Sequence, residues 1–311
     1  MEYSIEKIVA TIPFLNGSTQ VKKIEEGYSP DEKYIVVKEE NKYLLRIANI
    51  TYAEKRKREF QLLKEIANRK VRSQRPIEFQ VKEENQLCFL LMEYIEGVPA
   101  SEAFKNCSEQ IQYQIGEKAG KELYRIHQIK APADRPIWEV SQRKKFSYYL
   151  TEYREGGIKL EKEQNILSFI KDNISLLTGR PTVLLHDDFH LGHIIIKNQE
   201  YKGIIDFNGY DYGDPYHDFY NLSLFSRRES IPFINGQING YFSTKPNDGF
   251  WRLYSLYAAM NIIFTIVWTN KYDPNSMEDA MERINIILED HDDFNLIQPK
   301  WYDPMSSYRL S

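Results

Sequence analysis

Two stretches of the chain decide its fold: VLLHDDFHLGHIII at residues 183–196 and GIIDFNG at residues 203–209. Each places polar side chains beside a short apolar run that is typical of a buried strand. Asp188 stands five residues before His193 and can face it across a tight loop, while Asp206 at a neighbouring strand end can reach the same point. Mg²⁺ is usually bound by only a few protein groups, and water and phosphate oxygens complete its coordination. We therefore expect Asp188 to orient a hydroxyl and accept its proton, and Asp206 and His193 to hold metal.

The first third of the chain is rich in strand signals. Short β-branched or aromatic runs alternate with turn residues, and a charged stretch at residues 52–69 carries apolar side chains on one side, which predicts an amphipathic helix. The sequence EYIEG at residues 93–97 predicts a hinge. The expected strands are residues 21–25, 34–38, 43–47, 77–82 and 87–92.

After Gly97 the pattern becomes helical, with one non-helical island around the two deciding stretches. The sequence thus predicts an α+β fold with a small sheet-plus-helix lobe at residues 1–95 and a larger, mainly helical lobe at residues 96–311, in which a β-hairpin is embedded. The expected helices are residues 108–128, 143–153, 162–177, 217–225, 250–268 and 277–289, and the island strands are residues 183–185, 194–196 and 203–205.

Composition excludes several classes of protein. The 311 residues hold 41 Lys and Arg against 45 Asp and Glu, a balance that argues against a nucleic-acid binder with a broad basic surface. Cys88 and Cys107 are the only cysteines, so we expect no disulfide framework and no cysteine zinc site. The N-terminus lacks a secretory signal, and the longest apolar stretch, residues 254–268, is too short to span a bilayer. We expect a monomeric, cytoplasmic globular protein without nucleic-acid or membrane partners.

The deciding stretches also resemble the catalytic loop and the metal-binding loop of the aminoglycoside phosphotransferases, which are small-molecule kinases with a protein-kinase-like fold. The pattern is His186-x-Asp188 with His193 five residues on, then IIDFNG, then GDPxxD at residues 213–218. The similarity spans residues 20–270 and is nearest to the aminoglycoside 2″-kinase and macrolide-kinase branches. It implies a bilobal fold with a small antiparallel-sheet N-lobe, a larger mainly helical C-lobe, Mg²⁺, and ATP or GTP as the phosphate donor.

The resemblance implies roles for further residues of the nucleotide lobe. Arg46, on the strand that carries a cation to the nucleotide phosphates, would pair with Glu59 on the next helix. Ser29 and nearby backbone amides would contact phosphate. The backbone of the hinge at Glu93 and Ile95 would hydrogen-bond the nucleobase.

Other polar residues of the island have less specific expectations. His186 is expected to be a buried scaffold residue, and Asp218 is expected to brace the catalytic loop. Asp187 and His190 are candidate substrate contacts, with plain loop surface as the alternative. Asp214 either touches substrate or caps the following helix.

The chain departs from the family pattern at three places. Asn is typical where His193 stands, and Lys where Arg46 stands. A neutral imidazole can bind a divalent metal, and Arg keeps the charge while offering a planar fork to phosphate oxygens. The nucleotide loop, with the turn Gly27-Tyr28-Ser29 followed by Pro30, has one glycine instead of GxGxxG. These changes bear on rate and nucleotide preference more than on the fold.

The acceptor is inferred from charge together with the resemblance. Residues 1–91 hold 17 Lys and Arg against 14 Asp and Glu, whereas residues 92–311 hold 24 against 31. An acidic second part favours a polycation, so a cationic antibiotic of the aminoglycoside class is the leading hypothesis. A macrolide, which needs a broader apolar wedge, comes next, and a metabolic alcohol such as choline or a sugar is third. The acidic run at residues 289–293 is interpreted as a solvated helix end, with a contact to a cationic ligand as the alternative.

Two rival functions come from other classes. A metallohydrolase could place His186, Asp188, His190 and His193 around a transition metal, but it needs further ligands at a spacing that the other histidines do not show. A catalytically degenerate kinase could bind nucleotide without transferring phosphate, as Arg46 and the glycine-poor loop suggest.

Overall fold

A five-stranded antiparallel sheet with the order β1-β2-β3-β5-β4 forms the first part of the chain. The structure is a computed structural model, and it describes residues 4–25 and 29–303. The elements of this part are α1 (Ile5–Ala10), a 3₁₀ turn (Pro13–Leu15), β1 (Gln20–Ile24), β2 (Glu32–Lys38), β3 (Asn41–Asn49), α2 (Ala53–Asn68), β4 (Pro76–Lys82) and β5 (Leu87–Glu93).

The two faces of β3 have different partners because side chains alternate along a strand. Leu45 and Ile47 are buried in a cluster that includes Ile12, which follows α1. Arg46, between them, lies on the other face and bonds Glu59 of α2. The sheet therefore has an apolar face and a face that carries buried charge. The expected strands and helix are found here, whereas the six-residue α1 was missed because a segment this short shows no clear period.

The second part of the chain is mainly helical, and its short strands surround the deciding stretches. Strand β6 pairs with β8, and β7 pairs with β10. The elements are β6 (Val98–Pro99), α3 (Ala100–Ala103), α4 (Glu109–Ile126), α5 (Trp138–Glu155), α6 (Glu163–Asn173), β7 (Val183–Leu185), β8 (Ile194–Lys197), β9 (Glu200–Ile204), β10 (Asp211–Gly213), α7 (Ile231–Phe242), α8 (Asp248–Tyr272) and α9 (Met277–Asp290).

Helix α7 was not expected, because its sequence IPFINGQINGYF contains residues that disfavour helices. Ser230 caps it by accepting a hydrogen bond from the amide of Phe233. Its glycines face the glycines of α4: a Cβ at Gly120 would overlap the carbonyl oxygen of Gln237, and a Cβ at Gly240 would overlap a backbone carbonyl of α4. The close packing of α4 and α7 therefore requires glycines, and these same glycines weaken the helical pattern of the α7 sequence.

The prediction of one helix at residues 217–225 was wrong. The chain forms a 3₁₀ turn at His217–Phe219 and a π-helical turn at Leu222–Ser226. The wider turn places Phe225 against the ring of His190, with 4.9 Å between the ring centroids. A π-helical turn has no distinct sequence period, so this irregularity was invisible to the pattern.

Helix α8 has 25 residues and is apolar enough to cross a membrane by length and composition alone. The apolar stretch at residues 254–268, which the sequence suggested was too short to span a bilayer, is therefore only part of a longer helix. In the structure 83% of its most apolar 18-residue window is buried inside the protein, where Leu256, Ile262 and Ile263 are fully covered. Helix α8 is thus a core helix of the second part.

The chain divides into two compact units. The first contains the described residues up to Glu96 together with Gly203–Asn208, and the second contains Gly97–Lys202 and the described residues from Gly209 onward. Residues 203–208 join the first unit because the amide of Ile204 donates to the carbonyl of Arg72 at 2.8 Å. A side chain at Gly203 would collide with that same carbonyl. Residues 203–208 thus belong to the first unit, although more than a hundred residues of sequence separate them from Glu96.

Candidate active site

A buried carboxylate holds the start of the catalytic loop. Asp218 is fully buried, and its two carboxylate oxygens accept hydrogen bonds from the backbone amides of Asp187 and His186, each at 2.8 Å. The Nε2 atom of His127 lies 3.1 Å from Asp218 Oδ2. Burial acts to raise the pKa of Asp218, but the bond to His127 and the nearby donors outweigh it, so the pKa lies below its ordinary value. An ionised Asp218 thus braces the loop, and the ring of His186, which is also fully buried, belongs to the same scaffold.

Asp187 occupies the tight turn that follows. Its φ of 64° lies in the left-handed region, which Asp tolerates better than most residues. The hydroxyl of Tyr220 donates to its carbonyl at 3.1 Å, and Nδ1 of His217 lies 3.2 Å from its Oδ1. The Asp187 side chain is 28% exposed, which would allow a contact with substrate. That contact stays a prediction.

Asp188 follows with a carboxylate that two histidines approach. Its Oδ1 lies 3.2 Å from Nε2 of His190, and its Oδ2 lies 3.5 Å from Nδ1 of His193. Nδ1 of His190 accepts the amide hydrogen of Gly192 at 3.1 Å, so Nε2 carries the ring proton in the neutral ring and donates to Asp188. Both nitrogens of His190 are thus engaged within the loop. The structure places His190 as a support of Asp188, and its expected contact with substrate stays a prediction.

His193 is oriented by the backbone of the same loop. Its Nδ1 lies 2.8 Å from the carbonyl oxygen of Asp188, and because a carbonyl only accepts, Nδ1 carries the proton. In the neutral ring Nε2 is then the nitrogen with the lone pair that a metal can use. The rings of His190 and His193 lie 4.4 Å apart, which keeps the two imidazoles on one side of the loop.

The Asp188 carboxylate is kept ionised. Burial acts to raise the pKa of Asp188, but the hydrogen bond from His190 and the electrostatic effect of the neighbouring histidines outweigh it, so the pKa lies below its ordinary value. The side chain is 48% exposed. An accessible, oriented and charged carboxylate can accept a hydrogen bond from an incoming hydroxyl.

Asp214 requires a correction. It was a candidate substrate contact, yet it is fully buried. Its oxygens accept two hydrogen bonds from Arg180 at 2.7 and 2.9 Å, one from the Tyr257 hydroxyl at 2.7 Å, and one from the amide of Tyr216 at 3.1 Å. This burial leaves no surface for a ligand. We therefore replace the substrate role with a structural one, in which Asp214 joins the helical core to the start of the segment after β10.

Asp206 lies in a turn of the first unit. Its φ of 68° is left-handed, and its Oδ1 accepts the amide hydrogen of Asn208 at 3.3 Å. The carboxylate is partly exposed. The side-chain oxygen of Asn208 in turn accepts a hydrogen bond of 2.6 Å from Nη1 of Arg56. The turn that presents Asp206 is therefore tied to helix α2.

Arg46 belongs to a closed ring of four buried charged residues. It donates to Asp31 through Nε at 2.9 Å and Nη2 at 2.7 Å, and to Glu59 through Nη1 at 2.5 Å. Arg56 donates to Glu59 at 2.8 Å and to Asp31 at 2.6 Å. The Arg46–Glu59 contact was expected, whereas Asp31 and Arg56 were missed. The three-residue spacing of Arg56 and Glu59 on a helix is the signal that could have found Arg56.

The ring occupies the guanidinium of Arg46, which the resemblance had suggested as a phosphate ligand. Arg46 is 7% exposed, and each of its three guanidinium nitrogens donates to a carboxylate. Burial acts to lower its pKa, but Glu59 and Asp31 outweigh this and raise it. Its charge is therefore balanced within the protein.

Of the predicted nucleotide contacts, Glu93 is the last residue of β5, Ile95 follows that strand, and Ser29 precedes β2. The amide of Glu93 donates to the carbonyl of Arg75 at 2.8 Å, and the amide of Tyr94 donates to the carbonyl of Lys42 at 3.1 Å. Ser29 Oγ accepts the amide hydrogen of Asp31 at 3.2 Å. Of the expected nucleotide turn, Gly27 and Tyr28 lie outside the described residues.

The rival metal centre of four residues is not assembled by this geometry. One atom from each of Asp188, His190 and His193 lies within 4.8 Å of the others, which is compatible with a cation. However, His190 uses both nitrogens for bonds within the loop, and His186 is fully buried. The arrangement instead matches a loop that positions one carboxylate.

Comparisons with known proteins agree with this geometry. A sequence model described as the phosphotransferase enzyme family matches residues 20–254. No curated protein matches the chain in sequence. Among solved structures, the streptomycin–ATP complex of the aminoglycoside phosphotransferase APH(2″)-IIa is 19% identical, with a TM-score of 0.65 over 93% of this chain and 97% of that chain.

Two further structures have the same fold. ADP-bound APH(2″)-Ib is 18% identical, with a TM-score of 0.62 over 96% of this chain and 99% of that chain. A GDP and kanamycin complex of another APH(2″) enzyme is 12% identical, with a TM-score of 0.69 over 91% of this chain and 97% of that chain. Because the family match covers most of the chain and includes residues 183–209, the protein belongs to the phosphotransferase enzyme family and is a small-molecule phosphotransferase of kinase-like α+β fold.

Proposed function

We propose that the protein transfers the γ-phosphate of ATP or GTP to a hydroxyl of an aminoglycoside. The proposal is supported by structures of the same fold that hold streptomycin with ATP, gentamicin, or kanamycin with GDP. It is also supported by the acidic balance of residues 92–311, which favours a polycationic acceptor.

The observation that carries the proposal is the geometry around Asp188. A half-exposed carboxylate, held by His190 and preceded by backbone that Asp218 braces, is the group that a kinase needs beside the acceptor hydroxyl. Its lowered pKa makes it a weak base. That is adequate because phosphoryl transfer has a loose transition state, in which the proton leaves the attacking hydroxyl late and alignment matters most. Asp188 therefore orients the hydroxyl and receives its proton as the new P–O bond forms, while the bond from the γ-phosphorus to the bridging oxygen breaks and ADP or GDP leaves.

Mg²⁺ is the proposed metal, and Asp206 and His193 are the proposed ligands. The partly exposed carboxylate of Asp206 fits a hard cation that retains several waters. The proton on Nδ1 of His193 leaves Nε2 as the basic nitrogen of the neutral ring. When bound, the metal would neutralise charge on the transferring phosphate.

The proposed nucleotide contacts follow from the bonds already made on β5. Because the amides of Glu93 and Tyr94 donate within the sheet unit, the nucleobase would use the carbonyl of Glu93 and the amide of Ile95. Ser29 and neighbouring amides would contact phosphate. Arg46 would act mainly through the ring that it shares with Glu59, since its guanidinium is already engaged.

A panel assay with purified protein tests the proposal. The protein is incubated with Mg²⁺ and γ-labelled ATP or GTP, separately with kanamycin, gentamicin, streptomycin, erythromycin, choline and a simple sugar. We expect label on at least one aminoglycoside. Asp188→Asn should reduce turnover by about 10²- to 10⁴-fold, since it removes the proton acceptor while preserving size. Asp172→Asn, an exposed carboxylate change on α6, is the matched control and should leave turnover unchanged.

Each alternative gives a different result. Label on erythromycin, choline or the sugar but on no aminoglycoside would reassign the acceptor and leave the mechanism intact. Nucleotide binding without transfer to any acceptor would indicate a binding module instead of an enzyme. A folded Asp188→Asn variant with a turnover near that of the wild type would contradict the role of Asp188.

A further inference from the structure

In the ring of Asp31, Arg46, Glu59 and Arg56, Arg56 also bonds a residue outside the ring, Asn208. Arg56 uses Nη2 for Asp31 and Nη1 for Glu59, and the same Nη1 also donates to the side-chain oxygen of Asn208 at 2.6 Å. Arg56 and Asn208 are 152 residues apart in sequence. Arg56 is 2% exposed. This bond is therefore a buried, specific attachment between α2 and the loop after β9.

Asn208 passes this attachment on to Asp206. Its backbone amide donates to Oδ1 of Asp206, which orients the carboxylate relative to the turn. The left-handed φ of Asp206 is strained for a residue with a Cβ, so neighbouring bonds must hold it. Arg56 anchors the side chain of Asn208, and Asn208 anchors the carboxylate of Asp206.

The charge balance of the ring allows Arg56 to hold the turn of Asp206 without adding net positive charge beside its carboxylate. Two guanidinium groups face two carboxylates, so Arg56 brings little net charge toward Asp206. An unbalanced arginine at this place would repel a divalent cation and compete with it for the carboxylate. A balanced arginine that bonds a neutral amide can hold the loop without weakening its affinity for metal.

We propose that Arg56 is a positioning residue that acts through Asn208 to hold Asp206 ready for the divalent cation. The inference rests on the proposed function, in which Asp206 is a metal ligand. It assigns a role to Asp31 and Arg56, the two members of the ring that the sequence did not reveal. Asp31, together with Glu59, fixes the guanidinium of Arg56, and Arg56 fixes the turn of Asp206.

Two readouts test the proposal. The first is the binding of Mn²⁺, followed by electron paramagnetic resonance in the presence of the imido analogue of whichever nucleotide the wild type uses. The second is the Mg²⁺ concentration for half-maximal transfer, measured beside the KM of the acceptor. Asn208→Ala removes the acceptor of the Arg56 bond and leaves the ring whole. We expect it to weaken Mn²⁺ binding and raise the Mg²⁺ requirement by about 10- to 100-fold, while the acceptor KM stays unchanged.

Arg56→Gln should give the same defect, and the double variant should bind Mn²⁺ no more weakly than Arg56→Gln, because the two residues act in one chain of contacts. Arg58→Gln, an exposed change on the same helix, should behave as the wild type. If Arg56→Gln does not fold, Asn208→Ala alone decides the question.

Two results would overturn the proposal. Asn208→Ala with the Mn²⁺ binding of the wild type, or additive effects in the double variant, would show that the Arg56–Asn208 bond does not support Asp206. The variant Asp206→Ala separates this failure from that of the proposed function. Wild-type Mn²⁺ binding in Asp206→Ala would remove Asp206 as a ligand and overturn both proposals. A binding defect in Asp206→Ala without one in Asn208→Ala would overturn only the positioning role.

Discussion

Asp31→Asn is the change that most directly tests how Arg46 is held. The sequence suggested Glu59 as the partner of Arg46, whereas the structure makes Asp31 its two-bond partner. Asp31 also accepts a bond from Arg56, and its side chain is fully buried. Asn has nearly the same shape, so the change removes charge and one acceptor without opening a cavity.

The magnitude follows from the bonds that are lost. The Asp31 carboxylate accepts three charge-assisted hydrogen bonds of 2.6–2.9 Å from two guanidinium groups. Asn offers one oxygen, and its NH₂ group would face a guanidinium donor. The ring, balanced at two charges of each sign, would then carry one uncompensated positive charge in a buried place. Removing one partner of a buried ion pair costs about 3–5 kcal/mol, and we expect a loss of that size in the free energy of unfolding of the first unit.

The assay must report on the first unit separately. All four tryptophans lie at or after Trp138, so their fluorescence reports on the second unit. Urea unfolding followed by hydrogen exchange of β2 and α2 peptides reports on the first. With a slope of about 1–3 kcal/mol per molar urea, the exchange midpoint should fall by about 1 M or more. Glu25→Gln breaks an exposed pair with Lys23 in the same unit and should change the stability by about 0.5 kcal/mol or less.

Two results would refute this reasoning. A loss below about 1 kcal/mol in Asp31→Asn would show that the ring is not a cooperative unit of the fold. A large loss in Glu59→Gln together with a small one in Asp31→Asn would show that Glu59 alone holds Arg46.

Two further predictions concern the second unit and use tryptophan fluorescence during urea unfolding. Gly120→Ala should destabilise it by about 1–3 kcal/mol, because the new methyl group meets the backbone carbonyl of Gln237; Gly209→Ala, which meets open space, should cost far less. His291 is fully buried, and burial lowers its pKa to about 4, although its bond to the Leu296 carbonyl opposes this. The unfolded state therefore binds the proton first, so stability should fall between pH 6.5 and 4, by about 2 kcal/mol from pH 7.5 to 5, and His291→Phe should abolish this slope.

Local spacing was sufficient to predict that His193 approaches Asp188. Asp188, His193 and Asp206 stand at the ends of short apolar strands, and strand ends present polar side chains at predictable positions. The alternation of β3 likewise separates Arg46 from the apolar side chains of Leu45 and Ile47. These inferences need only a few neighbouring residues, so they survive without knowledge of the rest of the fold.

Long-range partners were not accessible in the same way. Asp214 had two equal interpretations, and the choice depended on Arg180, 34 residues earlier, and on Tyr257, 43 residues later. The acidic run at residues 289–293 was interpreted as solvated, yet Asp290 pairs with Arg227 and is 5% exposed. A carboxylate in sequence gives no sign of which distant arginine will cover it.

The sequence by itself determined the two-part α+β organisation and the approach of His193 to Asp188, because strand periodicity and loop spacing are local properties. The kinase-like fold was indicated by the resemblance of the two deciding stretches to the aminoglycoside phosphotransferases. Only the tertiary structure decided that Asp31 helps to balance the charge of Arg46, that Asp214 is buried against Arg180 and Tyr257, and that Arg56 bonds Asn208 in the turn of Asp206. These contacts join segments that lie far apart in the chain. Burial makes each of them specific, because a charged group removed from water must find a partner of opposite charge or a hydrogen-bonding group wherever the fold places one.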